Sequence, residues 1–207
     1  MSVQNLALFL LAAILVTLSP GPDILTVIAR SMAQGTWAGM VATLGFATGL
    51  IVHTTIAATG LALVLRGSPT AFRTIQFLGA AYLLYLAVRM FVGREPLMAD
   101  RPAERQRALG QVYGQSVLMN VLNPKVTLFF VAFLARFVEP GSGVPVWMQM
   151  VVLGGLFAAS TILCFGTCAL VAGRLTGFVR RHPRAGRPMR VATGVVFVVV
   201  AASIVAT

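Results

Sequence analysis

Apolar positions run almost unbroken from Leu6 to Ala29, and the exception within them is the turn-forming stretch Ser19-Pro20-Gly21-Pro22-Asp23. A helix of about 20 apolar residues crosses the roughly 30 Å of bilayer hydrocarbon, and this run is long enough to do so. The pattern recurs along the chain and predicts six spans, at about 5–29, 37–65, 70–92, 111–137, 146–172 and 188–207. The second is long enough to tilt or to include an interfacial turn, and the sixth is short and rich in Val. The pattern alone predicts an all-α membrane protein.

Only one connection has real polar length, the segment from Gly93 to Gly110. It divides the chain into a first three-helix repeat (1–92), a linker (93–110) and a second three-helix repeat (111–207). With an odd number of crossings in each half, the second half enters the membrane from the opposite side, so similar halves are related by inverted topology.

Corresponding spans carry corresponding interruptions. The first is expected to break at Pro20-Gly21-Pro22 and the fourth at Asn123-Pro124. Proline lacks an amide hydrogen, so Pro20 and Pro22 strand the carbonyls of Val16 and Leu18, and Pro124 strands that of Asn120. Stranded carbonyls within a bilayer are tolerated where protein or a watery cavity satisfies them, so both breaks should face inward. Asp23, the only acidic residue in the first 94, follows Pro22, and Lys125, the only lysine, follows Pro124. A charge at mid-membrane costs about 2.5 to 3.5 kcal/mol on insertion scales and requires a partner or a water path. Asp23 lies toward the inner end of its span and Lys125 near the centre of its own, so a shared polar cavity is the expectation. Ser19, Asp23 and Thr26 form one helical stripe, and Ser116, Asn120, Asn123 and Thr127 another.

Composition supports the membrane assignment: 58% of residues are apolar and 10% charged. The net charge of +11 is unevenly placed. Arg30, the five arginines from Arg89 to Arg107 and the six from Arg174 to Arg190 fall at alternate connections. Only Arg66, Arg73 and Arg136 fall at the others. This asymmetry puts the Arg-rich connections in the cytoplasm, against anionic headgroups, and both termini outside. It argues against a nucleic-acid partner. A cleaved leader is disfavoured because no Lys or Arg precedes Arg30. Cys164 and Cys168 share one helix face and read as packing residues, as does His53 through a hydrogen bond. Glycines four apart, such as Gly45 and Gly49, mark close helix approach.

A broken helix exposes amide donors at one fractured end and carbonyl acceptors at the other, which suits a zwitterion. The carboxylate could meet amides after Gly21 or Asn123 together with Lys125, and the ammonium could meet Asp23 and the stranded carbonyls. Asp23 could also carry a proton when the site is empty. The segments "LSPGPDIL", "GFATGLIVHTTIAATGLALVL", "QFLGAAYLLYLAVRMF" and "NPKVTLFFVAFL" resemble the lysine exporter superfamily, in its homoserine/threonine exporter branch. The resemblance implies export of an amino acid or close derivative from the bacterial inner membrane by proton antiport, as a homodimer. It places the functional motif on Pro20, Gly21, Pro22, Asp23, Asn123, Pro124 and Lys125; Asn120 joins them from the polar stripe. No cofactor is expected. A metal-cation exporter is the alternative, but divalent ions favour several carboxylates or histidines together. A membrane-embedded enzyme would need a nucleophile with its base, or a metal cluster, within the spans.

Overall fold

The computed structural model describes residues 3–19, 21–61, 107–139 and 141–181, with isolated helical positions between 70 and 92 and at 195 and 198. Apart from those positions, the expected third and sixth spans lie outside the described residues, as do Pro20 and most of the linker. The described residues are helical, with no strand among them.

Helix α1 (Val3–Leu18) ends just before the first interruption, and α2 (Pro22–Gln34) begins after it. Pro22 occupies the first helical position, where its missing amide is no loss and its fixed φ already suits a helix. The two axes meet at 58°. Gly35 ends α2 with φ 87°, a conformation that side chains disfavour, and turns the chain directly into α3 (Thr36–Ile56). A wider helical turn, Ala57–Leu61, extends α3. Helix α4 (Leu109–Val121) stops at Leu122, and α5 (Pro124–Leu128) restarts behind an Asn123 cap. The helical path continues through a wide turn, Phe129–Phe133, and a tight one, Leu134–Phe137. Helix α6 (Val146–Arg181) is one piece of 36 residues, about 54 Å at 1.5 Å per residue.

Among the described residues, Thr36–Gly60 and Val146–Ala172 are each long and apolar enough to cross a membrane, and α1 with α2 makes a third if the bent pair is one span. These match the second, fifth and first expected spans. Helix α6 runs nine residues past the expected end of the fifth span at 172, continuing through Gly173-Arg174.

Helix α3 is the central element, packed against α2, α4 and α6. Between membrane helices close packing does the work that the hydrophobic effect does in water, so small residues decide how near backbones come. A Cβ at Gly45 would meet the Tyr113 carbonyl oxygen at 2.6 Å and Ser116 Cβ at 2.7 Å. One at Gly49 would meet Asn120 Cβ at 2.7 Å. Gly45 and Gly49, four apart, therefore set the α3–α4 contact, whereas Gly60 and Gly155, also expected to allow close approach, face open space.

Two apolar clusters hold the helices together. Phe9 of α1 and Phe157 of α6 join Phe129, Phe130 and Phe133 in the first, where the Phe129 and Phe133 rings lie 4.5 Å apart. The second gathers Ile24, Val27, Phe46, Val112 and Phe165. Polar ties close both ends of the bundle. At one end Gln149 donates to the carbonyls of Val144 (2.8 Å) and Glu139 (3.1 Å), and Asn5 of α1 donates to the Glu139 carboxylate. At the other, Arg30 donates to Gln34 (2.8 Å) and Gln115 (3.2 Å), Arg107 donates to Gln115 (2.6 Å), and Gln34 donates to the Arg107 carbonyl (2.9 Å).

This second tie corrects the expectation for Arg30. Its side chain is 0% exposed and ties α2 to α4, so it does not face headgroups with the other arginines. The signal was present in its position: seven residues after Asp23, Arg30 lies two turns along the same face of α2.

Candidate functional site

Asp23 and Lys125 occupy the same structural position in two different helices. Gly21 caps α2, Pro22 is its first residue and Asp23 its second; Asn123 caps α5, Pro124 is its first residue and Lys125 its second. The proline requires the residue before it to be extended, which Gly21 and Asn123 are. The charged residue after it is thereby fixed in the first helical turn.

That position treats the two charges differently. A carboxylate at a helix N-terminus is favoured by the helix dipole and an ammonium is not. Asp23 sits on the favourable side and is held further by two amides: Asn123 Nδ2 donates to Oδ1 at 2.9 Å and Asn120 Nδ2 to Oδ2 at 3.2 Å. Lys125 swings away from its own helix to the end of α1. There its ammonium donates to the Val16 carbonyl at 3.2 Å, to the Ser19 carbonyl at 3.4 Å and to the Ser19 hydroxyl. The negative end of the α1 dipole supplies what the α5 terminus withholds.

Asn123 joins the two arrangements. Its Oδ1 accepts the Lys125 backbone amide at 3.0 Å, the standard cap of a helix start, while its Nδ2 holds Asp23. Asparagine alone among good caps offers both a carbonyl and two amide hydrogens. The carbonyl stranded by Pro124, that of Asn120, lies 3.0 Å from His53 Nε2. Since a carbonyl only accepts, Nε2 carries the proton. Thus the Val16 and Asn120 carbonyls, expected to await a cargo ammonium, are already bonded to Lys125 and His53.

These groups surround one cavity, where the two apolar clusters meet. Asp23, Asn120, Asn123, Lys125, Ser19 and Gly21 line its polar side. Leu50, Val126, Phe129, Phe157 and Phe165 form its apolar wall. It gives about 30 Å³ to the centres of water molecules, room for about two.

Of the residues singled out by sequence, Gly21, Asp23, Asn120, Asn123 and Lys125 therefore converge on this cavity, and Pro20 lies outside the described residues. The expectation that both breaks face inward holds for the Val16 and Asn120 carbonyls and for the two charges but not for the rings of Pro22 and Pro124, which are exposed. Nor does Gly21 need to be glycine for its backbone, which is extended; a Cβ there would lie 3.5 Å from Lys125 Nζ. Sequence reasoning missed Thr17, Thr161 and the phenylalanines of the wall. For α6 the clue was Phe157-Thr161-Phe165, a polar residue at helical spacing between two aromatics.

Comparison with known proteins finds membrane proteins among the relatives of this chain. A membrane protein of Pseudomonas aeruginosa, itself uncharacterized, is 32% identical over 195 residues, 92% of this chain and 89% of the relative. An uncharacterized membrane protein of Bacillus subtilis is 29% identical over 171 residues, 79% of this chain and 80% of the relative. The leucine efflux protein of Salmonella typhimurium is 30% identical over 145 residues, 69% of this chain and 68% of the relative. No solved structure matches the chain. The family model for LysE type translocators matches residues 14–207, nearly the whole sequence, and the chain is a member of that family.

Proposed function

We propose that this protein exports an amino acid or close derivative across a bacterial inner membrane by exchange for protons, with Asp23 and Lys125 as the groups that hold cargo and couple it to the proton. One observation carries this function: a carboxylate and an ammonium sit at equivalent places in two helix starts and face one cavity with an apolar wall. A zwitterion presents the complementary pair. Its ammonium goes to Asp23 and its carboxylate to Lys125, and its side chain lies against the aromatic wall. The efflux proteins among the relatives act on leucine by name, which supports a cargo of amino-acid size.

The cavity in this form is too small for an amino acid, so loading requires the helices around it to part. Both ends of the bundle are held by hydrogen bonds that can break and reform, Arg30–Gln115 at one and Asn5–Glu139 at the other. Opening them in turn is alternating access. The full architecture in this proposal is six spans in two inverted repeats, 1–92 and 111–207, with the first and fourth spans broken at their prolines. The linker and Arg-rich connections are cytoplasmic, the termini are outside, and two copies form a homodimer.

Reconstitution tests the proposal. Wild-type protein in liposomes should exchange amino acids in counterflow, and an imposed pH gradient should accelerate net movement. Asp23→Asn, which keeps the side chain's shape, should lose the response to the gradient while remaining folded. Full gradient-driven transport by that variant would remove Asp23 from the coupling.

A further inference from the structure

Two side-chain amides hold Asp23, and one of them is locked in its orientation while the other is not. Asn123 donates through Nδ2 to Asp23 Oδ1 at 2.9 Å, and its own Oδ1 accepts the Lys125 backbone amide at 3.0 Å. Turning that amide over would lose the cap of α5 and point an oxygen at the carboxylate, so Asn123 stays a donor. Asn120 is 2% exposed and donates through Nδ2 to Asp23 Oδ2 at 3.2 Å. Its Oδ1 is buried with no hydrogen-bond partner among the described residues. That oxygen rests against Gly49 of α3, where a Cβ would come within 2.6 Å of it. A half-turn about the Asn120 Cβ–Cγ bond, exchanging oxygen and nitrogen, therefore breaks one hydrogen bond, the one to Asp23. The Asn120 backbone stays in place meanwhile, its carbonyl held by His53 at 3.0 Å.

A buried acceptor left unmet is costly, and native structures rarely keep one without a use. The neighbouring carboxylate supplies the use. Ionised, it only accepts; protonated, it carries an O–H that needs an acceptor of its own.

We infer that Asn120 is the proton-linked switch of this site: its amide presents Nδ2 to ionised Asp23 and turns over to present Oδ1 when Asp23 takes a proton on Oδ2. The inference rests on the coupling role proposed for Asp23 above. The proton comes from water in the cavity, bonds to Oδ2 and cancels the carboxylate charge; Asn120 gives up none. In either orientation one end of the amide meets Asp23 and the other meets Gly49, so the proton decides between two arrangements of one side chain. The other charged or titratable groups acting on Asp23 are Lys125 of α5 and His53 of α3, bonded to the end of α1 and to the Asn120 carbonyl. Helix α6 brings Phe157, Thr161 and Phe165 to the cavity, none of which carries charge. Asn120 is thus a positioning residue, acting through Asp23.

The two asparagines make the test. A fixed donor stabilises the ionised carboxylate alone, so losing it moves proton uptake by Asp23 to higher pH, by about one unit or more for a bond to a charged group. A turning amide serves both forms, and losing it moves uptake little. Infrared titration of the protein in liposomes reads the midpoint without transport, the protonated Asp23 band being the one that Asp23→Asn removes. In Asn123→Ser the midpoint should rise by about a unit or more, and in Asn120→Leu it should stay within about half a unit of wild type. Gradient-driven transport by Asn120→Leu should nonetheless fall about tenfold or more. Asn120→Val, smaller and equally without polar side-chain atoms, repeats the comparison should leucine prevent folding. A rise in the Asn120 variants equal to that in Asn123→Ser makes Asn120 a fixed donor and overturns the inference, as does undiminished transport by them. Those results leave the role of Asp23 standing. A wild-type protein with no band that Asp23→Asn removes, or with transport indifferent to the gradient, overturns the coupling role and this inference with it.

Discussion

The ammonium of Lys125 lies 3.2 Å from the carbonyl oxygen of Val16, which an unbroken helix would have bonded to the amide of residue 20. A side chain from the second half of the chain thus replaces a backbone donor that proline removed from the first. The break in α1 and the lysine in α5 are two parts of one contact. Lys125→Met should orphan the Val16 and Ser19 carbonyls and lower stability by about 1 to 3 kcal/mol. Transport should vanish with it. Thermal unfolding in detergent and counterflow in liposomes measure the two effects separately.

Asn123 caps α5 with its carbonyl and holds Asp23 with its amide, and these roles can be separated. Serine is a good cap, but its hydroxyl ends one bond short of where Asn123 Nδ2 meets Asp23. Asn123→Ser should therefore unfold within about 1 kcal/mol of the wild type and yet transport poorly. Asn123→Ala should lose both cap and carboxylate contact. Equal transport by Asn123→Ser and wild type would show that the amide's hold on Asp23 is dispensable.

For His53, bonded to the Asn120 carbonyl at 3.0 Å and packed on Phe130, the structure agrees with the packing role expected from sequence. Glutamine supplies a donor without titrating in the physiological range. His53→Gln should keep transport and its pH profile, whereas His53→Leu should cost about 1 to 3 kcal/mol by leaving a buried carbonyl unbonded. A pH profile displaced in the glutamine variant would make His53 a proton carrier instead.

Arg30→Met should weaken the end of the bundle that Arg30 and Gln115 hold together. In a background lacking Cys164 and Cys168, a reporter at Phe165→Cys should then be alkylated faster by a reagent applied on the side of Arg107. An unchanged rate would mean that this tie does not control entry to the cavity.

The hydrophobic pattern placed the starts of α3 and α6 to within a residue, because uninterrupted apolar runs leave a helix little choice. It revealed the cavity as well, since a lone carboxylate and a lone lysine beside prolines have few places to go in a bilayer. What it could not reveal depended on helices distant in sequence. Val16 and Lys125 are far apart in the chain, and no local rule says that one serves the other. Arg30 looked like its fellow arginines because composition counts charges without asking which face of α2 they occupy. Thr17 and Thr161 resembled the many threonines that bond their own helix; only the structure distinguishes them.

Because a single amide from Asn123 touches both the start of α5 and the carboxylate of α2, chemistry and mechanics coincide at one side chain. A proton landing on Asp23 would neutralise the acceptor that keeps this amide oriented, and the joint would loosen at the spot where the proton arrived. Fuel and hinge would then be neighbours, and no message would have to cross the protein.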